Sequence, residues 1–373
     1  MRSLLLLTLA ASALALASSF PPGCEQVTIP VTISANPLNI NLSTPKNQSE
    51  LTGLVTRLTS LTSNVSSEVI LGPTNLTATY KIWSLLCIPH TTKPTTVEFA
   101  IHGISFDHSY WNFGGEGSQY NYVDVALKAG HAIFIYDRLG VGQSSKPDGI
   151  KEVQQDTQIA IAAQLITYLK SGKSGHKFTK FIGIGHSFGS LQLAGIASQF
   201  GNLLDATILT GFSPFTGGLP TTLASFGLTI ASEQNRGRFG SLSNSYLATG
   251  SISNDQAPFL AFPFFDPEVL QLASATKGTV TLGEFLTLGA TVATNYTNPV
   301  FVVTGDKDFI FCGGNCYQPF AGAPNLVAAS QVLFPAVQKF DYFIPANTGH
   351  GSNLHFGVQE IYAKIQSWIA ELP

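Results

Sequence analysis

The chain has 373 residues, of which 44% are hydrophobic and 11% are charged, and its formal net charge at pH 7 is -3. This length and apolar content suit one large domain with a sizeable core, and the weak net charge gives no reason to expect nucleic acid or an anionic membrane as a partner. The sequence contains no phosphate-binding loop, dinucleotide fingerprint or metal-ligand cluster, so we expect no cofactor and no metal.

The N-terminus predicts export from the cell. Arg2 precedes an apolar stretch over residues 4–16 that is too short to span a bilayer, and Ala15-Leu16-Ala17 is a small-residue cleavage site. We therefore expect a signal peptide over residues 1–17 and a secreted, extracellular domain over residues 18–373 with no stable membrane anchor. Five Asn-x-Ser/Thr sequons agree with a glycoprotein, at Asn41, Asn47, Asn64, Asn75 and Asn295.

The four cysteines are Cys24, Cys87, Cys312 and Cys316, which allow three disulfide pairings. An oxidising compartment makes disulfides the default, and we favour Cys24 with Cys87 and Cys312 with Cys316. The rival interpretation is a zinc site, because Cys-x-x-x-Cys can bind zinc. No histidine or second cysteine pair lies at a suitable spacing for one.

Short apolar runs alternate with helical patterns from about residue 97 onward. The predicted strands cover residues 97–103, 131–137, 180–186, 205–211, 299–305 and 339–345, and the predicted helices cover residues 120–129, 153–170, 190–200 and 358–372. This alternation predicts an α/β fold with a mostly parallel central sheet that helices cover on both faces. Two earlier runs, 27–34 and 77–89, are expected to add an antiparallel edge, and segment 35–66 fits either a loop or an elaborate edge.

The loop after strand 97–103 supplies a candidate donor for an oxyanion hole. Gly103 allows the backbone to approach a reacting group closely, and the N–H of Ile104 is the candidate donor. His102 and His186 each lie at a strand end, so we expect them to support the site without reacting directly.

Gly185-His186-Ser187-Phe188-Gly189 is the most informative motif, because it follows an apolar strand and precedes a helix. Gly-x-Ser-x-Gly in this setting is typical of a nucleophile elbow, a sharp turn that exposes the serine in a strained backbone conformation. Gly185 and Gly189 leave room where the chain doubles back. We therefore predict Ser187 as a nucleophile and the N–H of Phe188 as the second oxyanion donor.

The alternation of strands and helices breaks between residues 211 and 299. This part of the chain is rich in proline and contains a cluster of phenylalanines at positions 259, 262, 264 and 265. We interpret residues from about 214 to 294 as a cap that is inserted over the carboxyl ends of the strands, where open α/β sheets bind their ligands. At least one of these phenylalanines is expected to face substrate, and the others to form the core of the cap. The sequence identifies no individual substrate-binding residue.

A candidate acid and a candidate base follow the last two strands. Asp306 and Asp308 both follow strand 299–305, and spacing alone does not separate a carboxylate that orients a histidine from one that caps a turn. His350 directly follows strand 339–345 and is the expected base, with His355 as the alternative.

These motifs together resemble the α/β-hydrolase superfamily, in particular secreted fungal serine hydrolases of the esterase and lipase-like type. Four motifs carry the resemblance: His102-Gly103, the loop 137–144, the elbow 185–189, and Gly305-Asp306-Lys307-Asp308 with Gly349-His350. The resemblance implies an α/β-hydrolase fold with an inserted cap and a Ser187–Asp308–His350 triad, because the strand-end pattern Gly-x-x-Asp carries the acid in relatives. It implies a structural role for Asp137. It also argues against epoxide hydrolases and haloalkane dehalogenases, which use Asp at the elbow.

We therefore expect a secreted serine hydrolase that cleaves a small-molecule carboxylic ester through an acyl-enzyme on Ser187. The apolar cap favours a lipophilic acyl or aryl ester. One alternative is a tailoring hydrolase that acts on a lactone or thioester of a single specialised metabolite, and a broad panel of simple esters would separate it. The other is a binding glycoprotein with a hydrolase fold and no turnover. The sequence gives no oligomeric state.

Overall fold

The computed structural model of the chain describes residue 20 and residues 23–60, 62–90 and 93–373. The predicted signal peptide over residues 1–17 lies outside these described residues. Within them, none of the helices combines the length and the apolar character needed to cross a bilayer.

Strands and helices alternate along most of the described chain. The strands are β1 (Cys24–Ala35), β2 (Leu38–Ile40), β3 (Ile70–Pro73), β4 (Leu76–Cys87), β5 (Thr96–Ile101), β6 (Ala132–Tyr136), β7 (Lys180–His186), β8 (Ala206–Thr210), β9 (Thr229–Ile230), β10 (Tyr246–Ala248), β11 (Val280–Thr281), β12 (Val300–Val303) and β13 (Phe340–Phe343). The helices are α1 (Gln48–Thr59), α2 (Val65–Val69), α3 (Tyr122–Lys128), α4 (Gln155–Lys170), α5 (Phe188–Phe200), α6 (Leu219–Ser225), α7 (Ala231–Gln234), α8 (Arg236–Phe239), α9 (Ile252–Phe259), α10 (Pro267–Thr276), α11 (Leu282–Thr287), α12 (Phe309–Cys312) and α13 (Val358–Ala370).

An eight-stranded sheet in the order β1-β4-β6-β5-β7-β8-β12-β13 forms the centre of the described chain. β1 pairs antiparallel with β4, and β4 pairs antiparallel with β6. The other neighbours in this order, from β6 through β5, β7, β8 and β12 to β13, pair parallel. The predicted mostly parallel sheet with an antiparallel edge is confirmed. Because the parallel strands point the same way, the loops that follow β5, β6, β7, β8, β12 and β13 meet at one edge of the sheet.

The central strands are apolar because they are buried, and helices pack against them. Every residue of β6 and of β8 is buried, as expected for strands that are covered on both faces. The helix α5 contacts β7 and β8 and packs against α4, while α3 contacts both β6 and α13. The α/β-hydrolase fold that the sequence predicted is confirmed.

One charged side chain lies inside the sheet, which an all-apolar strand pattern would not predict. Glu98 of β5 is fully buried, and it accepts hydrogen bonds from the Tyr122 hydroxyl at 2.5 Å, from His131 Nδ1 at 2.8 Å and from Gln366 Nε2 at 2.9 Å. These partners satisfy the carboxylate, so it joins β5 to the helices α3 and α13.

The two favoured disulfide pairs are present. Cys24 and Cys87 face each other in the antiparallel register of β1 and β4, where they form one disulfide. Cys312 and Cys316 form the other directly after α12. The asparagine of each of the five sequons is exposed.

The segments that the sequence left open contain regular structure. Segment 35–66 includes α1, whose N-cap residue Asn47 accepts a hydrogen bond from the N–H of Glu50 at 3.0 Å. Between β8 and β12 the chain forms the helices α6 to α11 and a small sheet in the order β11-β10-β9. This insertion carries several of the side chains that surround the site described next.

Candidate active site

The turn between β7 and α5 holds Ser187 in a strained conformation. Its backbone angles are φ 55° and ψ -115°, which non-glycine residues rarely adopt. A Cβ atom at Gly185 would lie 2.6 Å from the carbonyl carbon of Gly189, and one at Gly189 would clash with the carbonyl oxygen of Ile101. The chain therefore needs glycine at both positions to make the turn that presents Ser187 to the cavity it lines.

Asp308 and His350 form a buried pair at the same edge of the sheet. His350 Nδ1 donates to Asp308 Oδ2 at 2.8 Å, and neither side chain is exposed. The other carboxylate oxygen, Oδ1, accepts from the N–H of Phe311 at 2.8 Å, so Asp308 also caps the short helix α12. Because Nδ1 carries the proton, Nε2 of His350 is left as the acceptor, and it has no partner among the described residues.

Asp306 points to different partners. Its Oδ1 accepts from the N–H of Thr348 at 3.0 Å, and its Oδ2 lies 3.0 Å from Lys307 Nζ. Asp306 thus ties the loop after β12 to the loop after β13. Of the two aspartates that the sequence left open, the structure brings Asp308 to His350.

The His350 ring lies beside the serine turn. Its centroid is 4.8 Å from the ring of His186, the residue before Ser187. It is also 5.8 Å from Phe259 and 5.7 Å from Phe311, and both phenylalanines line the cavity that Ser187 faces. The Ser187 hydroxyl makes no hydrogen bond to His350 here, as is common in the absence of substrate.

Two backbone N–H groups next to Ser187 are available as donors. Phe188 is the first residue of α5, so its N–H has no partner within the helix. Neither this N–H nor that of Ile104 is paired within the described ranges, and both residues line the cavity together with Ser187. Both N–H groups are therefore candidate donors for an oxyanion hole.

The peptide that carries the Ile104 N–H is held by His102. The N–H of Arg138 donates to His102 Nε2 at 3.1 Å, so Nδ1 carries the proton and donates to the Gly103 carbonyl oxygen at 2.9 Å. Burial holds the pKa of His102 well below its ordinary value, with the nearby Arg138 charge acting in the same direction. A neutral His102 therefore fixes the Gly103–Ile104 peptide and its N–H.

We expect Gly103→Ala to lower kcat by about 100-fold, because the added methyl would displace the serine turn by a fraction of an ångström. A Cβ atom at Gly103 would lie 3.0 Å from Ser187 Cβ and 3.1 Å from the His186 carbonyl oxygen. The control is Gly53→Ala on the exposed face of α1, where an added Cβ meets no atom within 4 Å. Steady-state ester hydrolysis checks the prediction, and a Gly103→Ala variant as active as the Gly53→Ala control would contradict it.

His186 and His355 are buried and do not take the place of His350. The ring of His186 stacks on Tyr110 at a centroid distance of 4.3 Å, and burial together with the neighbouring His350 and His102 holds its pKa well below the ordinary value. His355 uses Nδ1 and Nε2 in bonds to backbone groups of Gly351, Gly349 and Ala261. The sequence alternative to His350 as base therefore has no nitrogen free to accept a proton from Ser187.

A largely apolar cavity opens from Ser187 beneath the insertion. The empty space inside it, including the part open to solvent at its mouth, is about 920 Å³. The lining contains no charged side chain and six phenylalanines, namely Phe188, Phe215, Phe226, Phe259, Phe285 and Phe311. Of the phenylalanine cluster noted in the sequence, Phe259 lines this cavity. Six of the other lining residues lie on helices that the sequence did not predict, namely Leu219, Thr222, Leu223, Phe285, Ile310 and Phe311.

Asp107, His108 and Asp137 are the described group whose possible metal-ligand atoms come closest together, within 4.8 Å of one another. Asp137 Oδ1 accepts from both the N–H and Nδ1 of His108, and its Oδ2 accepts from the N–H of Gln143 at 2.8 Å. Asp107 caps the following turn by accepting from the Ser109 N–H. The bonds of Asp137 join the loop after β5 to the loop after β6.

Comparison with known proteins gives the family of this chain and relatives with a similar fold. A model of the alpha/beta hydrolase family matches residues 99–363, while no curated protein matches the chain. A thermophilic esterase from Thermogutta terrifontis is 15% identical, with a TM-score of 0.51, covering 78% of this chain and 94% of that one. A bromoperoxidase from Bacillus anthracis is 15% identical, with a TM-score of 0.52, covering 79% and 95%. At this identity the likeness concerns the fold.

Proposed function

This chain belongs to the alpha/beta hydrolase family, and from that premise we propose that it is a serine hydrolase that cleaves carboxylic esters through an acyl-enzyme on Ser187. The observation that carries the proposal is the buried Asp308–His350 pair beside the strained Ser187 turn. Its 2.8 Å hydrogen bond leaves His350 Nε2 without a partner in the described residues. A base nitrogen in this state is what activation of a serine requires.

In the first half of the reaction, Ser187 Oγ attacks the ester carbonyl carbon while His350 Nε2 takes the hydroxyl proton. The N–H groups of Ile104 and Phe188 stabilise the negative charge on the former carbonyl oxygen. Asp308 holds the imidazole in the required tautomer and stabilises the imidazolium. The bond to the alcohol oxygen then breaks, and His350 returns the proton to that oxygen as the alcohol leaves.

In the second half, a water molecule attacks the acyl carbon of the ester formed with Ser187. His350 Nε2 takes a proton from this water, and the same two N–H groups stabilise the second tetrahedral intermediate. The bond to Ser187 Oγ then breaks, Oγ regains a proton from His350, and the carboxylic acid is released. No cofactor enters either half of this scheme.

The lining of the cavity supports a lipophilic acyl or aryl ester as substrate. It contains no charged side chain, and an unpaired charge moved into such surroundings loses several kcal/mol of hydration. A secreted location is part of the proposal. The two disulfides and the exposed sequon asparagines support it.

We expect the p-nitrophenyl butyrate ester to be cleaved with a kcat/KM about 100-fold higher than the p-nitrophenyl hemisuccinate ester, because the hemisuccinate brings a carboxylate into the apolar cavity. Leu223 lines the cavity, so Leu223→Lys is expected to narrow this ratio by about 10-fold. The matched control is Val332→Lys at a side chain that is 55% exposed and outside the lining. Equal kcat/KM values for the two esters would contradict the assignment of this cavity to the acyl group. A ratio that narrows in Val332→Lys but not in Leu223→Lys would also contradict it.

A further inference from the structure

His355 makes hydrogen bonds to the loop that carries His350, and no step of the proposed reaction uses them. The ring is fully buried. Its Nε2 lies 3.0 Å from the backbone nitrogen of Gly349 and 3.0 Å from that of Ala261. Since both of these groups are N–H donors, Nε2 accepts two hydrogen bonds. The ring proton is therefore on Nδ1, which donates to the Gly351 carbonyl oxygen at 2.9 Å.

These three partners lie on both sides of the base and on the insertion. Gly349 and Gly351 flank His350, while Ala261 belongs to the segment 259–264, which begins at the last residue of α9 and leads toward α10. The same two segments are joined by the Gly351 N–H, which donates to the Phe259 carbonyl oxygen at 2.7 Å. A Cβ atom at Gly349 would lie 2.8 Å from Ala261 N and 3.1 Å from His355 Nε2. The junction is therefore packed without room for a side chain.

We propose that His355 is a positioning residue that holds the His350 loop against segment 259–264 of the insertion. The proposal rests on the proposed function in one respect, namely that His350 is the base. Because Phe259 lines the cavity and belongs to the same segment, His355 couples the placement of the base to one wall of the substrate site.

This role requires a neutral ring. Protonation would turn Nε2 into a donor that faces two other donors, and the contacts to Gly349 and Ala261 would be lost. Burial lowers the pKa of His355 to about 4. Asp306 and Asp308 in the loop after β12 oppose this shift, and His350 reinforces it. Segment 259–264 contains no titratable side chain.

The sign of the pH dependence follows from the lowered pKa. An unfolded histidine titrates near about 6.5, so between about 6.5 and about 4 the unfolded chain binds a proton at His355 that the folded chain does not. The stabilising contribution of this residue is complete above about 6.5 and is lost as the pH falls through about 4. Replacing His355 with a residue that does not titrate should remove this part of the pH dependence of the stability.

The test compares His355→Gln, whose Oε1 can accept hydrogen bonds in place of Nε2 but does not titrate, with His355→Leu, which accepts none. The control is His131→Leu, which removes a partly buried histidine that bonds Glu98 at 2.8 Å. The readouts are the rate at which a fluorophosphonate labels Ser187, its pH profile, and hydrogen exchange of the Gly349 and Ala261 amides. We expect His355→Leu to label about 100-fold more slowly and to exchange both amides faster. His355→Gln should label within about 5-fold of the unmodified chain and lose less rate and stability between pH 6.5 and 4.

The outcomes separate this inference from the proposed function. Labelling of the unmodified chain and of His355→Leu at the same rate would overturn the positioning role and leave the serine mechanism intact. Faster amide exchange in His355→Leu, with no labelling of any variant, would support the junction while refuting the mechanism. If His355→Leu does not fold, His355→Gln decides the question. The inference is overturned if this variant loses as much rate and stability between pH 6.5 and 4 as the unmodified chain, and it is supported if the variant loses less.

Discussion

Ser187→Ala is expected to lower kcat/KM for ester hydrolysis by at least about 10,000-fold, because no other group can form the acyl-enzyme. Residual hydrolysis would come only from the oxyanion donors and substrate binding. The substitution removes one hydroxyl, which makes no hydrogen bond to His350 in the structure, and leaves the strained turn with a side chain of similar size. We therefore expect the thermal unfolding midpoint and the hydrophobic cavity to be unchanged.

The control for this variant is Ser198→Ala, which removes a hydroxyl from the same helix α5 on its exposed side, where it bonds the Val292 carbonyl oxygen at 3.0 Å. This control should retain full activity. Hydrolysis by Ser187→Ala at more than about one hundredth of the unmodified rate would mean that another nucleophile performs the reaction.

Asp308→Asn is expected to lower kcat by about 10,000-fold. An asparagine no longer holds His350 in the tautomer with an acceptor at Nε2, and it does not stabilise the imidazolium with a charge. Because the side chain keeps its size, the bond from the Phe311 N–H to the residue-308 oxygen can persist, and the helix α12 should keep its start. The measurement is steady-state hydrolysis of the butyrate ester, with circular dichroism as the check on folding.

Asp306→Asn serves as the matched control for the acid. Its amide oxygen can still accept from the Thr348 N–H. The lost charge is paired with Lys307, whose side chain is 39% exposed, and such pairs contribute about 0–1 kcal/mol. We expect a loss in kcat of less than about 10-fold. A larger loss in Asp306→Asn than in Asp308→Asn would place the acid two residues upstream.

The parts of the site that local sequence motifs encode could be predicted. Glycines at 185 and 189 around Ser187 specify the turn because larger residues collide there, and together with the apolar strand before them and the helix after them they suffice to predict it. The strand β7 and the start of helix α13 were predicted at the residues where the structure has them, since their apolar patterns are uninterrupted. Spacing did not distinguish Asp306 from Asp308, because the choice depends on which carboxylate reaches His350.

The helices within the insertion could not be predicted because their signals are ambiguous. Pro220 and Pro267 suggest breaks in structure, but each occupies the first turn of a helix, where the missing N–H costs nothing. The helices α6 and α11 are also too short for a clear apolar period, and they supply four of the lining residues, namely Leu219, Thr222, Leu223 and Phe285. Helix formation here depends on packing that spans distant parts of the sequence.

The proposed role of His355 could not be predicted from the sequence for a different reason. In the sequence it is a histidine near the expected base and therefore a rival for that role. Its bond to the N–H of Ala261 joins residues that are 94 positions apart, and no local pattern reports such a contact. In the structure both ring nitrogens of His355 bond backbone groups, and we propose that the residue positions His350.

The most direct test of the serine mechanism is to label the unmodified chain with a fluorophosphonate and to identify the modified residue by peptide mass mapping. In this reaction the serine Oγ bonds to phosphorus and fluoride leaves, which gives a phosphonyl-serine, and the step requires a base that activates the hydroxyl and N–H donors that stabilise the new oxyanion. We predict a stoichiometric adduct on Ser187 that disappears in Asp308→Asn. A folded chain that forms no adduct, or forms it on another residue, would contradict the account.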